Sequence, residues 1–193
     1  MAFPTTGVLD SFTRANVGPP PSASWSYPWY PGDGGTQVFS NQCRSKANYG
    51  DAYWNVGTFG PSSEVYCTIS TLSPTNYIVY INLRTINPNS STLCGYYIRY
   101  TNAATDTVQF YRVDDTVETQ LGATISQDFS NGDGIGFDAV SSTLTAYRQS
   151  SGAWSSVGSR TDATYTAAGY IGCGANHGDA RMHEWTTLAA ERL

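Results

Sequence analysis

Between Asn131 and Ser150 the chain reads NGDGIGFDAVSSTLTAYRQS, and apolar and polar positions alternate with a period of two. Ile135, Phe137 and Ala139 fall on one side, and Gly136, Asp138 and Val140 on the other. Beyond Ser141 and Ser142 the alternation resumes, with Leu144, Ala146 and Arg148 opposing Thr143, Thr145 and Tyr147. Two such runs about a two-serine turn predict an antiparallel hairpin with one apolar and one mixed face.

The same pattern recurs along the chain. Val8 to Thr13 predicts a first strand, and Gln37 to Lys46 another. Val65, Cys67 and Ile69 share one face of Ser63 to Thr71, as do Val79, Ile81 and Leu83 in Tyr77 to Thr85, after a proline turn at Ser73 to Asn76. Tyr96, Ile98 and Tyr100 line one face of Cys94 to Thr101, and Val108 to Val113 pairs across Asp114 and Asp115 with a strand from Val117. Ile125 to Phe129, Ala153 to Arg160, Gly169 to Gly174 and Ala180 to Leu188 complete about a dozen strands. Gly18 to Gly35 holds most of the prolines and cannot be a central strand. It predicts a long ordered loop pinned by Trp25, Tyr27, Trp29 and Tyr30. Only Leu188 to Leu193 has local helical character, and no fixed-period repeat is evident.

These elements fit one all-β domain over residues 1–193, a size at which a sandwich buries a proper core. A net charge of −5 with a single lysine, Lys46, argues against nucleic acid, which needs a basic stripe. No apolar run is long enough for a membrane span, and MAFPTTGVLD lacks the basic and apolar regions of a signal peptide. Cys43, Cys67, Cys94 and Cys173 are too dispersed for a zinc motif. Cys67 is expected as a buried free thiol, with one or two disulfides open to a chain matured in an oxidising compartment.

In order, VLDSFTRAN, a Trp-bearing loop, EVYCTIST, INLR, GYYIRY, VQFYRV, GDGIGFDAV with STLTAYR, and GYIGCG span nearly the whole chain. This succession resembles the concanavalin A-like, laminin-G-like jelly-roll β-sandwich of two antiparallel sheets. More narrowly, it is similar to small stand-alone lectin-like proteins of tailed bacteriophages of actinobacteria. The resemblance implies adjacent first and last strands and a virion-surface or glycan-binding role. The last strand departs from the pattern of paired acids followed by Phe, having Asp179, Arg181, His183, Glu184 and Trp185 instead.

Glycoside hydrolysis, the enzymatic role of related jelly rolls, needs two carboxylates projecting from one strand. No E-x-D-x-x-E strand is present; Asp114, Asp115 and Glu118 read as solvated turn acids, and nothing pairs Glu64 with Glu184. His177, Asp179, His183 and Glu184 cluster without a zinc spacing. Asp179 with main-chain carbonyls is a candidate calcium ligand.

Two surfaces are candidates for ligand recognition. One is the set of rings in irregular segments: Trp25, Tyr27, Trp29, Tyr30, Tyr53 and Trp54, suited to sugar stacking or to plugging the sandwich end. The other is the mixed face of the middle strands, with Tyr80, Asn82, Arg84, Tyr97, Arg99 and Arg112, whose arginines could instead stitch acids such as Glu64 and Asp138. The expectation is a non-catalytic virion module, assembled in a host cytoplasm without a signal peptide. It would bind host-surface glycan or, as a decoration protein, other virion proteins, with self-association left open.

Overall fold

The computed structural model describes residues 3–71, 77–176 and, as backbone, 181–186. Fifteen strands run in chain order: β1 (Trp25–Ser26), β2 (Gly34–Phe39), β3 (Gln42–Ser45), β4 (Tyr49–Trp54), β5 (Ser63–Thr71), β6 (Tyr77–Ile86), β7 (Cys94–Asn102), β8 (Thr107–Asp114), β9 (Val117–Gln120), β10 (Ile125–Ser126), β11 (Gly134–Val140), β12 (Thr143–Ser150), β13 (Ala153–Thr161), β14 (Tyr170–Asn176) and β15 (Arg181–Thr186). The front sheet has the order β10-β8-β7-β6-β14-β4, with β9 beside β8 and β1 beside β4. The back sheet runs β2-β3-β15-β5-β11-β12-β13. Pairing is antiparallel throughout except at Gly34 and Gly35, where β2 lies parallel to β4 before turning into the back sheet beside β3.

The predicted apolar faces meet between the sheets. Ile135, Phe137, Ala139 and Leu144 pack with Val65, Cys67 and Ile69 from the back sheet against Ile81, Leu83, Tyr96, Ile98 and Tyr100 from the front. Ser141 closes the central hairpin with φ 54°. The four cysteines are free thiols, and three of them, Cys43, Cys67 and Cys173, are buried. Burial pushes the Cys67 thiol up, so it behaves as a small apolar side chain.

Two predicted strands have another form. Among the described residues Val8 to Thr13 forms no strand beyond a single bridge at Asp10, and the Asp10 carboxylate organises it as a knot. That carboxylate accepts the Phe12 amide at 2.8 Å, the Trp25 indole N–H at 2.9 Å and the Arg14 guanidinium. Phe12 consequently has φ 53° and is fully buried. Gln37 to Lys46 is a hairpin rather than one strand, since Ser40 and Asn41 both have positive φ, as a two-residue type I′ turn requires. The predicted proline turn at Ser73 to Asn76 and the helical end at Leu188 to Leu193 lie outside the described residues.

The outer face of the back sheet is covered by the chain itself. Phe3 stacks on Tyr147 with centroids 3.9 Å apart and meets Trp154 and Tyr66 edge-on. Buried Glu64 accepts the Thr5 amide at 2.7 Å and the Thr6 hydroxyl at 2.6 Å, and the Tyr66 hydroxyl donates to the Thr6 carbonyl. Gly136 forms the floor: a Cβ there would lie 2.4 Å from the Phe3 ring.

Candidate functional site

Alternation along the front strands leaves a second row of side chains pointing away from the core. Register sets Asp51 of β4, Gly174 of β14, Tyr80 of β6, Arg99 of β7 and Gln109 of β8 side by side. The next row is Tyr53, Gly172, Asn82, Tyr97 and Tyr111. The glycines of β14 are what let this face form a groove. A Cβ at Gly174 would sit 2.1 Å from the Tyr80 ring, so the ring lies across the strand where any other residue would lift it.

The loop ahead of β2 builds the wall. Asp51 is fully buried and holds that loop, accepting the Trp29 amide at 2.6 Å and the Tyr30 amide at 2.9 Å on its two oxygens. The Trp29 indole N–H donates to Thr85 Oγ1 at 2.9 Å, and its ring packs against Tyr80, Tyr97 and Tyr30 at 5.7 to 6.1 Å between centroids. Tyr97 stacks on Tyr111 at 4.8 Å and 7°. The Tyr30 hydroxyl reaches the Thr116 carbonyl at 2.7 Å, which ties the loop to the β8–β9 turn.

The result is a cleft of about 300 Å³ lined by Trp29, Tyr30, Asp33, Tyr49, Ile78, Tyr80, Tyr97, Arg99 and Glu118. Arg99 is pinned: its guanidinium donates twice to Gln109 Oε1, at 3.2 and 2.8 Å, donates to the Tyr111 hydroxyl and lies 4.6 Å from that ring's centroid. Two acids meet on the opposite side. Asp33 and Asp51 are neighbours here, and the Tyr80 hydroxyl reaches a carboxylate oxygen of each, at 3.4 and 3.2 Å. Burial pushes both carboxyls above the usual range; Glu118 adds to the rise at Asp33, and the Asp33 charge to that at Asp51. Burial, with the Glu118 charge next, likewise raises the Tyr97 and Tyr30 phenols.

Of the candidate residues read from the sequence, this cleft gathers Trp29, Tyr30, Tyr80, Tyr97 and Arg99. Trp25 is a core residue with its indole N–H on Asp10, and Trp54 packs edge-on against it at 5.4 Å. Tyr27 is exposed but stands away from the cleft lining. Arg84 is 1% exposed rather than a surface cation. A bulge between Leu83 and Ile86 breaks the alternation, Arg84 takes φ 50°, and its guanidinium donates to the Pro61 and Tyr165 carbonyls. Thr85 thereby takes the place beside Trp29. Arg112 is likewise committed elsewhere, to Asp114 at 2.8 Å and Asp162 at 2.7 Å.

Asp33, Tyr49, Asp51, Ile78 and Glu118 are the members the sequence reading missed, Glu118 having been assigned to solvent. Asp179 and His177 lie outside the described residues, and of His183 and Glu184 only the backbone is described. Among the described residues no group of three His, Cys, Asp or Glu side chains is placed to hold a metal ion.

No protein-family model matches the chain, and no curated protein sequence matches it. Solved structures do. The chain is similar to a β-glucanase of Bacillus licheniformis (11% identity, TM-score 0.64, covering 94% of this chain and 97% of that one). It is also similar to the exoplasmic/lumenal domain of VIP36 in its Ca2+/Man2-bound form (13%, 0.62, 96% and 90%). A third is carbohydrate binding module CBM66 of Bacillus subtilis (16%, 0.52, 81% and 95%). At these identities the likeness establishes the architecture: the chain is an all-β, concanavalin A-like jelly-roll sandwich of two sheets.

Proposed function

We propose that the chain is a carbohydrate-binding module whose site is the front-sheet cleft, and that it acts by binding rather than by catalysis. The observation that carries this reading is one open groove combining aromatic faces with fixed polar groups: Tyr30, Tyr49, Tyr80 and Tyr97 beside Asp33, Arg99 and Glu118. Sugar rings present apolar C–H faces to aromatic rings and hydroxyls to charged hydrogen-bonding groups, and this cleft offers both at once. Proteins that share the fold, VIP36 with bound mannose units and CBM66 by its description, support the same reading. β-Glucanases share the fold too, so the argument against hydrolysis comes from the acids. Asp51 is fully buried and the Tyr80 hydroxyl stands against both it and Asp33, whereas glycoside hydrolysis needs two carboxyls that flank the scissile bond. Both Asp51 oxygens are also spent on loop amides.

From the sequence resemblance to phage lectin-like proteins we further propose that such a module serves on a virion, as a tail adhesin for host-surface glycan. Calcium bound near Asp179 is a separate proposal; recognition by the cleft as described uses only side chains.

The test is a glycan array followed by titration of the best ligand against Tyr49→Ala, in calcium and in chelator. Tyr49 is half exposed and sits on the rim, so its removal spares the core. Loss of one stacking ring, worth about 1 kcal/mol, weakens binding roughly fivefold with an unchanged melting temperature. Binding that ignores Tyr49→Ala would remove the cleft as the site.

A further inference from the structure

Charge in the cleft is one-sided. Among the described residues the single lining cation, Arg99, is already satisfied by Gln109 and Tyr111, so it offers little to an incoming anion. The acids have phenols beside them, Tyr80 at Asp33 and Tyr97 at Glu118, and no cation among the described residues. Asp33 is only half-buried, Glu118 stands exposed at the rim, and both face the cleft. Among the described residues, the groups around Asp33 are Asp51 from β4, Tyr80 from β6, Glu118 from β9 and, from its own loop, the Tyr30 carbonyl that accepts the Asp33 amide and the Tyr30 phenol, none of them cationic. Asp33, Asp51 and Glu118 make this side of the cleft acidic. A carboxylate-bearing sugar entering here would meet like charge at close range, while a hydroxyl would donate a hydrogen bond to a carboxylate without bringing a charge of its own. An ammonium would bring both the hydrogen bond and the opposite charge.

Resting on the reading that the cleft binds glycan, we infer that its preferred ligand is an amino sugar with a free, protonated amine, seated between Asp33 and Glu118 with its ring against the tyrosines. The neutral stacking contacts set the general affinity for sugars. The acids set the choice among them, since an ammonium beside a carboxylate makes the stronger, charge-assisted type of hydrogen bond. This selects against N-acetylated and uronic sugars of the same shape.

The experiment compares three oligosaccharides of equal length by calorimetry at pH 6 and low salt: glucosamine tetramer, N-acetylglucosamine tetramer and cellotetraose. The glucosamine tetramer should bind at least tenfold more tightly than either neutral one. That preference should shrink several-fold in Glu118→Gln and in Asp33→Asn, and it should persist in Asp128→Asn, an exposed acid outside the cleft. Preference lost equally in Asp128→Asn would reduce the effect to attraction by net charge and overturn the inference. A neutral tetramer binding as tightly as the amine, with sensitivity to Tyr49→Ala, would overturn the inference and leave the carbohydrate-binding cleft standing. Failure of all three to bind would overturn both.

Discussion

Each sheet of the sandwich carries aromatic side chains on its outward face, and the chain treats the two clusters differently. On the back sheet, Tyr66, Tyr147 and Trp154 are roofed by Phe3, and Glu64 beneath is occupied by Thr5 and Thr6. On the front sheet, Trp29 roofs only the inner part of the cluster, leaving Tyr30, Tyr49 and the edge of Tyr80 around an open cleft. Both use a glycine-floored β-strand to let a ring lie flat, Gly136 under Phe3 and Gly174 under Tyr80. An aromatic face alone therefore does not mark a binding site. What distinguishes the front sheet is that, among the described residues, none finishes the packing over the cleft.

The strongest way to break this comparison is Phe3→Ala. If the back cluster is internal packing, removing the stacked ring costs about 3 kcal/mol in chemical denaturation and leaves glycan affinity unchanged. A variant of wild-type stability with altered binding would reverse the roles of the two faces.

Gly174→Ala probes the front floor. The added methyl overlaps the Tyr80 ring at 2.1 Å, so the ring must lift off β14 into the cleft. Overpacking of this kind costs about 1 to 3 kcal/mol, and the displaced ring should also weaken sugar binding. Calorimetry and a melting curve on one sample read both effects. Lost stability with intact affinity would place the ligand away from Tyr80.

The contrast also explains what could be read in advance. Strand alternation exposes which residues face the core, because period two survives wherever a strand is regular, as in Val65, Cys67 and Ile69. It also brought Tyr80, Tyr97 and Arg99 to one face. It failed at Arg84, where a bulge reverses the facing by one residue, and at Val8 to Thr13, where the Asp10 side chain outcompetes the ladder. Asp33 and Asp51 were invisible for another reason: they lie 18 positions apart, and only the β2–β4 contact through Gly34 and Gly35 brings them together. Glu118 looked like a turn acid because nothing local reveals that β9 borders the cleft. Trp25 and Trp29 look equivalent in sequence, yet one indole N–H finds Asp10 in the core and the other finds Thr85 under the cleft.

Acids separate the cleft from the edge of the sandwich as sharply as aromatics separate the two faces, and pH is the probe. Asp33 has a raised pKa in the folded chain, so the stability it contributes is complete below the unfolded value of about 3.9 and declines as pH rises through its folded value. Asp33→Asn removes that decline: its melting temperature relative to wild type should climb from pH 4 to pH 7. Asp162, at the end of β13, behaves oppositely. Burial alone would raise it, but hydrogen bonds from the Tyr96 hydroxyl, Thr164 and Arg112 outweigh burial and hold it at about 2. Its contribution is present above about pH 3.9 and lost as pH falls through about 2. Asp162→Asn should therefore be destabilised at pH 7, by about 1 kcal/mol given its partly exposed partner Arg112, and should converge on wild type toward pH 2. The two variants bend the pH profile in opposite directions because one acid is kept for an incoming group and the other has already found its partners. Parallel profiles would mean that the cleft acids are structural as well.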